Sequence, residues 1–313
     1  MTVQPIEYKS SREHRKSWGV LWLPDTDEPV KGMIQLCHGM CEYTERYAPL
    51  AGWLCERGYA VCGNDHMGHK NTAKLSAQRL GYFGGMGSWP YLIEDVELLR
   101  KNLAPRFRDT PWIMLGHSMG SFVARLYAEK YGEHLDALIL SGTGGTNPLL
   151  GAGKAMARSS VAFKGPMYVS KAVDMMVSGN FNRRIKDART TSDWISHDTE
   201  AVNKYVNDDY CNFKFTASAY HDLFTMMEQC NRRRWFEELP KELPTLIFSG
   251  DEDPVGDYGK GPTQVAHRLR SAGVQNVELR LYKGGRHEML NETNRSEVYE
   301  DVYNWIEKTL AQG

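Results

Sequence analysis

A repeated alternation most constrains what this chain can fold into: short apolar runs, each followed by an amphipathic stretch. Residues 17–23 (SWGVLWL), 32–37 (GMIQLC), 59–62, 112–116, 135–140 (LDALIL), 243–248 (LPTLIF) and 277–282 read as strands. Between them, 43–57, 89–103, 119–131, 261–272 and 295–310 read as helices. Within 89–103, Leu92, Val96 and Leu99 share one face. Strands alternating with helices predict an α/β fold, a mostly parallel sheet with helices on both faces. In such sheets ligands collect at the loops beyond the strand ends.

One stretch breaks the pattern. From 146 to 239 there is no strand-like run, and Met156, Met167, Met175, Met176, Met226 and Met227 punctuate helical segments rich in aromatic residues. This predicts a helical cap over 146–239, inserted into a core domain made of 1–145 and 240–313. Flexible, polarizable methionine suits a surface that adapts to apolar ligands.

Composition narrows the function classes. The formal net charge is −1, so nothing marks nucleic acid or an anionic surface as a partner. The run Arg232–Arg234 reads as a solvated helix end. No stretch reaches the roughly 18 apolar residues that a membrane span needs. Residues 1–17 are polar and lack an apolar leader core, which gives a cytoplasmic expectation. The six cysteines form no CxxC pair and no zinc spacing, so neither a disulfide framework nor a metal is expected.

The chemistry-bearing signal is Gly116-His117-Ser118-Met119-Gly120, a G-x-S-x-G run between the strand WIML and the helix-like SFVARLYAEKY. That context makes Ser118 a candidate nucleophile on a strained strand-to-helix turn, with the glycines where side chains would collide. A serine hydroxyl needs a base. In this order of elements the acid comes next and the histidine last. His134 lies at a helix–strand junction, His197 and His221 in the cap region, and His267 inside a helix. Only His287 follows a strand, in the loop KGGRHEML. The loop TLIFSGDEDPVGD offers Asp253 first, held extended by Pro254, with Asp251 and Asp257 as alternatives. The oxyanion of an acyl-transfer intermediate needs preorganised donors. The backbone N–H of Met119, after the serine, and that of Met40, in His38-Gly39-Met40 after an early strand, are the candidates. The run Asn64-Asp65-His66-Met67-Gly68-His69 reads as a turn stabilised by Asp65.

Taken together, HGMCEYTERY (38–47), NDHMGH (64–69), GHSMGS (116–121), SGDEDPVG (249–256) and GGRHEML (284–290) resemble the monoglyceride lipase/lysophospholipase branch of the α/β-hydrolases, the serine aminopeptidase S33-like hydrolases. Glu42, Arg46 and Tyr47 match the family's HGxxEHxxRY pattern, with Tyr43 in place of its histidine. In its DHRGHG pattern, Met67 replaces the arginine and Lys70 the last glycine. The resemblance implies the α/β-hydrolase fold with a lid, Ser118, Asp253 and His287 as a triad, and Met40 and Met119 as oxyanion donors. It implies hydrolysis of a small-molecule carboxylic ester, of monoacylglycerol or lysophospholipid type, without a cofactor. Two other readings stand beside it. One is a peptidase or amidase on the same triad, with Glu200, Asp208, Asp209 or Asp222 holding a substrate amine. The other is a ligand-binding relative without catalysis.

Overall fold

The fold is described from a computed structural model, which describes residues 1–312. Eight strands form one sheet: β1 (Thr2–Lys9), β2 (Lys16–Leu23), β3 (Gly32–Cys37), β4 (Tyr59–Asn64), β5 (Trp112–His117), β6 (Ala137–Ser141), β7 (Thr245–Gly250) and β8 (Val277–Tyr282), in the order β1-β2-β4-β3-β5-β6-β7-β8. β1 and β2 pair antiparallel, as do β2 and β4; every later pairing is parallel. This is the α/β-hydrolase arrangement.

The N-terminal strand was not expected from the sequence. Thr2–Lys9 lies at the sheet edge, and only Gln4, Ile6 and Tyr8 turn inward, at period two. Val3, Pro5, Glu7 and Lys9 form its outer face; the charges and the proline suit an edge strand and hide it from a search for apolar runs.

The helices are α1 (Ala48–Cys55), α2 (Lys70–Leu75), α3 (Trp89–Leu103), α4 (Met119–Tyr131), α5 (Leu150–Lys164), α6 (Lys171–Ser178), α7 (Thr199–Asn207), α8 (Ala217–Cys230), α9 (Arg233–Glu238), α10 (Lys260–Ser271) and α11 (Arg295–Leu310). The pleat of β5 shows how they cover the sheet. Trp112 and Met114 face one core with α3, α4, α8 and α10, while Ile113 and Leu115 face the other with α1 and α11.

Between β6 and β7 the chain forms helices and no strand. Its second half is rooted in the first core. Asp222 of α8, fully buried, accepts the N–H groups of Gly87, Ser88 and Trp89 at the start of α3 (2.7, 2.7 and 2.9 Å). The buried Arg125 donates to the carbonyls of Gly144 and Cys230, and its own carbonyl accepts from the Trp235 indole at 2.7 Å. All six cysteines are free and buried. No helix of the described residues is long and apolar enough to cross a membrane.

Candidate active site

The parallel strands deliver their loops to one edge of the sheet. His38–Met40 leave β3, Ser118 leaves β5, Asp253 follows β7 and His287 follows β8. Register puts Cys37 beside Gly116, His117 beside Ser141, and Gly250 beside Tyr282, so residues far apart in sequence meet at one rim.

Ser118 sits between β5 and α4 with φ 51° and ψ −120°, a conformation that costs an L-residue free energy and is held by its surroundings. Three hydrogen bonds hold it: its N–H donates to Ser141 O at 2.9 Å, and its carbonyl accepts from the Ser121 N–H at 2.9 Å and the Ser121 hydroxyl at 2.6 Å. The turn also needs a bare Gly120, because a Cβ there would lie 1.9 Å from the Cys37 carbonyl oxygen.

Asp253 is the carboxylate that reaches the histidine. Its Oδ2 is 2.9 Å from His287 Nδ1 and accepts from the Ser249 hydroxyl at 3.1 Å, while Oδ1 accepts the Val255 N–H at 2.8 Å. The two alternatives go elsewhere. Asp251 accepts the Gly284 N–H at 2.7 Å, pinning the glycine turn before His287, and Asp257 is exposed beside Lys260. The four other candidate histidines make different contacts: His134 stacks on Tyr131, His197 pairs with Glu292, His221 with Asp222, and His267 is exposed.

Burial alone would lower the His287 pKa. The Asp253 charge and hydrogen bond, with Glu288 and Glu42 beyond, outweigh it and hold the imidazole above its ordinary value. Ser118 and His287 line one cavity, with no direct hydrogen bond between them among the described residues. Such bonds commonly tighten only with substrate in place. The N–H groups of Met40 and Met119 have no acceptor among the described residues, so both remain available to a ligand.

The cavity has an empty volume of about 1040 Å³, part of it open to solvent. Its walls are mostly apolar, with Phe122, Leu150, Val177, Leu223, Phe224 and Met227 among them. The 193–195 turn braces the histidine loop. The Trp194 ring lies 5.0 Å from that of His287, and the Glu288 N–H donates to Ile195 O at 2.7 Å.

A buried ion network, not identified from the sequence, joins two of the loops. Arg46 donates to both oxygens of Glu288 (2.9 and 2.7 Å) and to Glu42. Glu42 also accepts the Gly39 N–H at 2.5 Å and the Tyr47 hydroxyl at 2.8 Å. Burial favours the neutral form of Glu288, but the Arg46 charge overrides it and brings its pKa to about 2. For Glu42 burial dominates and raises it. In the sequence Glu42 and Arg46 are only motif matches; their i, i+4 spacing is the one local signal that could have found the pair, and nothing local marks Glu288.

The profile of the family described as "Serine aminopeptidase, S33" matches residues 28–294 of this chain. The chain belongs to that family. Among family-like proteins, the monoacylglycerol lipase of Mycolicibacterium smegmatis is 28% identical over 91% of each chain. The crystal structure of a thermostable carboxyl esterase from Bacillus coagulans, in complex with glycerol, is 31% identical over 99% of each chain, with a TM-score of 0.91. A structure described as a lipase in its open form is 28% identical, covers 98% of this chain and 99% of its own, and has a TM-score of 0.89.

Two of the chain's three departures from the S33 pattern, Tyr43 and Lys70, meet in space, while Met67 is buried in the first core. Lys70 Nζ lies 3.6 Å from the centre of the Tyr43 ring and pairs with Glu45 at 2.5 Å, while the Tyr43 hydroxyl donates to Asp208 at 2.6 Å. Asp65 accepts the N–H groups of Thr44 and Asn71, both at 3.0 Å, and so ties this corner to α2. None of the three departures lines the cavity that holds Ser118 and His287.

Proposed function

We propose that the chain is a serine hydrolase of carboxylic esters whose substrate combines an apolar acyl chain with a small alcohol, as in monoacylglycerols. The observation that carries this reading is the shared cavity: a strained Ser118, a His287 tied to Asp253 at 2.9 Å, and two unpaired amides on apolar walls. The similarity to a carboxyl esterase and a monoacylglycerol lipase supports the same class.

In the proposed reaction Ser118 Oγ attacks the ester carbonyl carbon while His287 Nε2 takes its proton. The N–H groups of Met40 and Met119 stabilise the resulting oxyanion. The carbon–alkoxide bond breaks and the alcohol leaves with the proton from His287. Water then attacks the acyl-enzyme, giving its proton to His287, which passes it to Ser118 Oγ as the carbon–Oγ bond breaks and the acid departs. Asp253 holds the imidazole tautomer and stabilises the imidazolium. Residues 146–239 act as the lid that supplies the apolar walls.

A substrate amine finds little to hold it. Asp222 is consumed by the α3 amides, Asp208 by Tyr43, and Glu200 and Asp209 are exposed. The carboxylates that do line the cavity, Glu42 and Glu288, are both bound to Arg46. Ester hydrolysis is therefore favoured over aminopeptidase action. Turnover of nitrophenyl esters of increasing chain length, of monoacylglycerol, and of aminoacyl nitroanilides should be compared in wild type and Ser118→Ala. Ester turnover should dominate and vanish in the variant. Wild-type turnover by Ser118→Ala would end the proposal.

A further inference from the structure

Resting on that reading, we infer that His38 is a positioning residue that fixes the peptide between Gly39 and Met40, so that the Met40 N–H faces the reacting carbonyl. The loop His38–Cys41 has three backbone groups held by three buried side chains. Glu42 accepts the Gly39 N–H at 2.5 Å. His38 Nδ1 lies 2.8 Å from the Gly39 carbonyl oxygen. His69 Nε2 accepts the Cys41 N–H at 3.3 Å. The Met40 N–H, between them, is left unpaired among the described residues.

The His38 contacts define its tautomer. A carbonyl oxygen can only accept, so Nδ1 carries the proton. Nε2 accepts the backbone N–H of His66 at 2.9 Å, so it carries none. A trans peptide points its C=O and N–H in opposite directions. Pulling the Gly39 oxygen toward His38 therefore turns the Met40 N–H the other way. The loop also abuts the nucleophile: a Cβ on Gly39 would lie 3.2 Å from Ser118 Cβ. Behind His38, the His66 and His69 rings pack at 4.3 and 4.8 Å between centres and close off the ring. Burial, with these two imidazoles, keeps His38 well below its ordinary pKa and hence neutral, as both contacts require.

The two contacts can be separated. Asparagine places its amide nitrogen near the position of Nδ1, and glutamine places its amide near Nε2. His38→Asn should keep the bond to Gly39 O and lose the one to His66; His38→Gln should do the reverse. Losing one oxyanion donor costs about 10²–10³ in kcat. Tilting one should lower kcat at least about tenfold in His38→Gln with KM unchanged, whereas His38→Asn stays within about threefold of wild type. A thionoester, whose sulfur accepts hydrogen bonds poorly, supplies the control: the ester-to-thionoester rate ratio should fall in His38→Gln and hold in His38→Asn. Taken within one preparation, that ratio is insensitive to how much of a variant folds. Equal kcat and equal ratios in both variants, or a loss confined to KM, would overturn the role. A wild-type protein that neither turns over esters nor labels with a fluorophosphonate would instead refute the hydrolase reading beneath it.

Discussion

Acid should destabilise this fold through its buried imidazoles, and the size of the loss follows from the structure. His38, His66, His69 and His117 are each at most 4% exposed. Burial first, then neighbouring imidazoles, brings His66 and His117 to about 3; burial brings His69 to about 4; the free value is 6.5. These rings are neutral in the fold but bind protons in the unfolded chain once the pH falls below 6.5. Stability is therefore full above that value and is lost progressively down to the folded pKa values. At pH 5 each of the three forgoes about 2 kcal/mol, together about 6 kcal/mol. His38 adds to the loss in the same direction. Asp65 works against it: burial raises its pKa to about 6, so the folded carboxyl gains a proton first and offsets about 1.4 kcal/mol at pH 5. His287, raised by Asp253, also opposes the loss. The balance is several kcal/mol, a large share of the roughly 5–15 kcal/mol by which domains are stable. Urea unfolding followed by tryptophan fluorescence at pH 8, 7, 6 and 5 should show a free energy that falls with increasing slope below pH 6.5. Free energies at pH 8 and 5 that agree within about 1 kcal/mol would refute the assignment of these rings as neutral and unprotonated.

Three substitutions probe the site from different sides. Asp253→Asn should lower kcat about a thousandfold or more; it should also move the acid limb of kcat/KM, expected above pH 6.5 in wild type because His287 must be neutral to act, to lower pH. Arg46→Met leaves Glu42 and Glu288 buried without their cation and should cost about 3–5 kcal/mol in urea unfolding, whereas a change under about 1 kcal/mol would show that the network is dispensable. Gly120→Ala drives a Cβ onto the Cys37 carbonyl and should cost at least about 3 kcal/mol, seen as a sharply lowered thermal midpoint.

Much of the candidate site's geometry was legible in the sequence because its parts follow strands. Each of GHSMG, the Asp253 loop and the His287 loop comes directly after a strand-like run, and a parallel sheet sends such loops to one edge. Asp253 could be ranked over Asp251 and Asp257 from Pro254, yet only the structure shows Asp251 spent on the Gly284 N–H. What escaped was long-range or half-exposed. β1 lacks an apolar run because only one face of an edge strand is covered. Glu288 earns its place through Arg46, 242 residues away in sequence, and no local pattern reports that. Trp194 meets His287 because the helical segment folds back over the sheet, a contact that periodicity cannot encode.

The most direct test is covalent. A fluorophosphonate should label the wild-type protein once per chain, and peptide mass spectrometry should place the adduct on Ser118, with labelling slowed in His287→Ala and absent in Ser118→Ala. Labelling of another residue, or none in a protein that hydrolyses esters, would contradict Ser118 as the nucleophile.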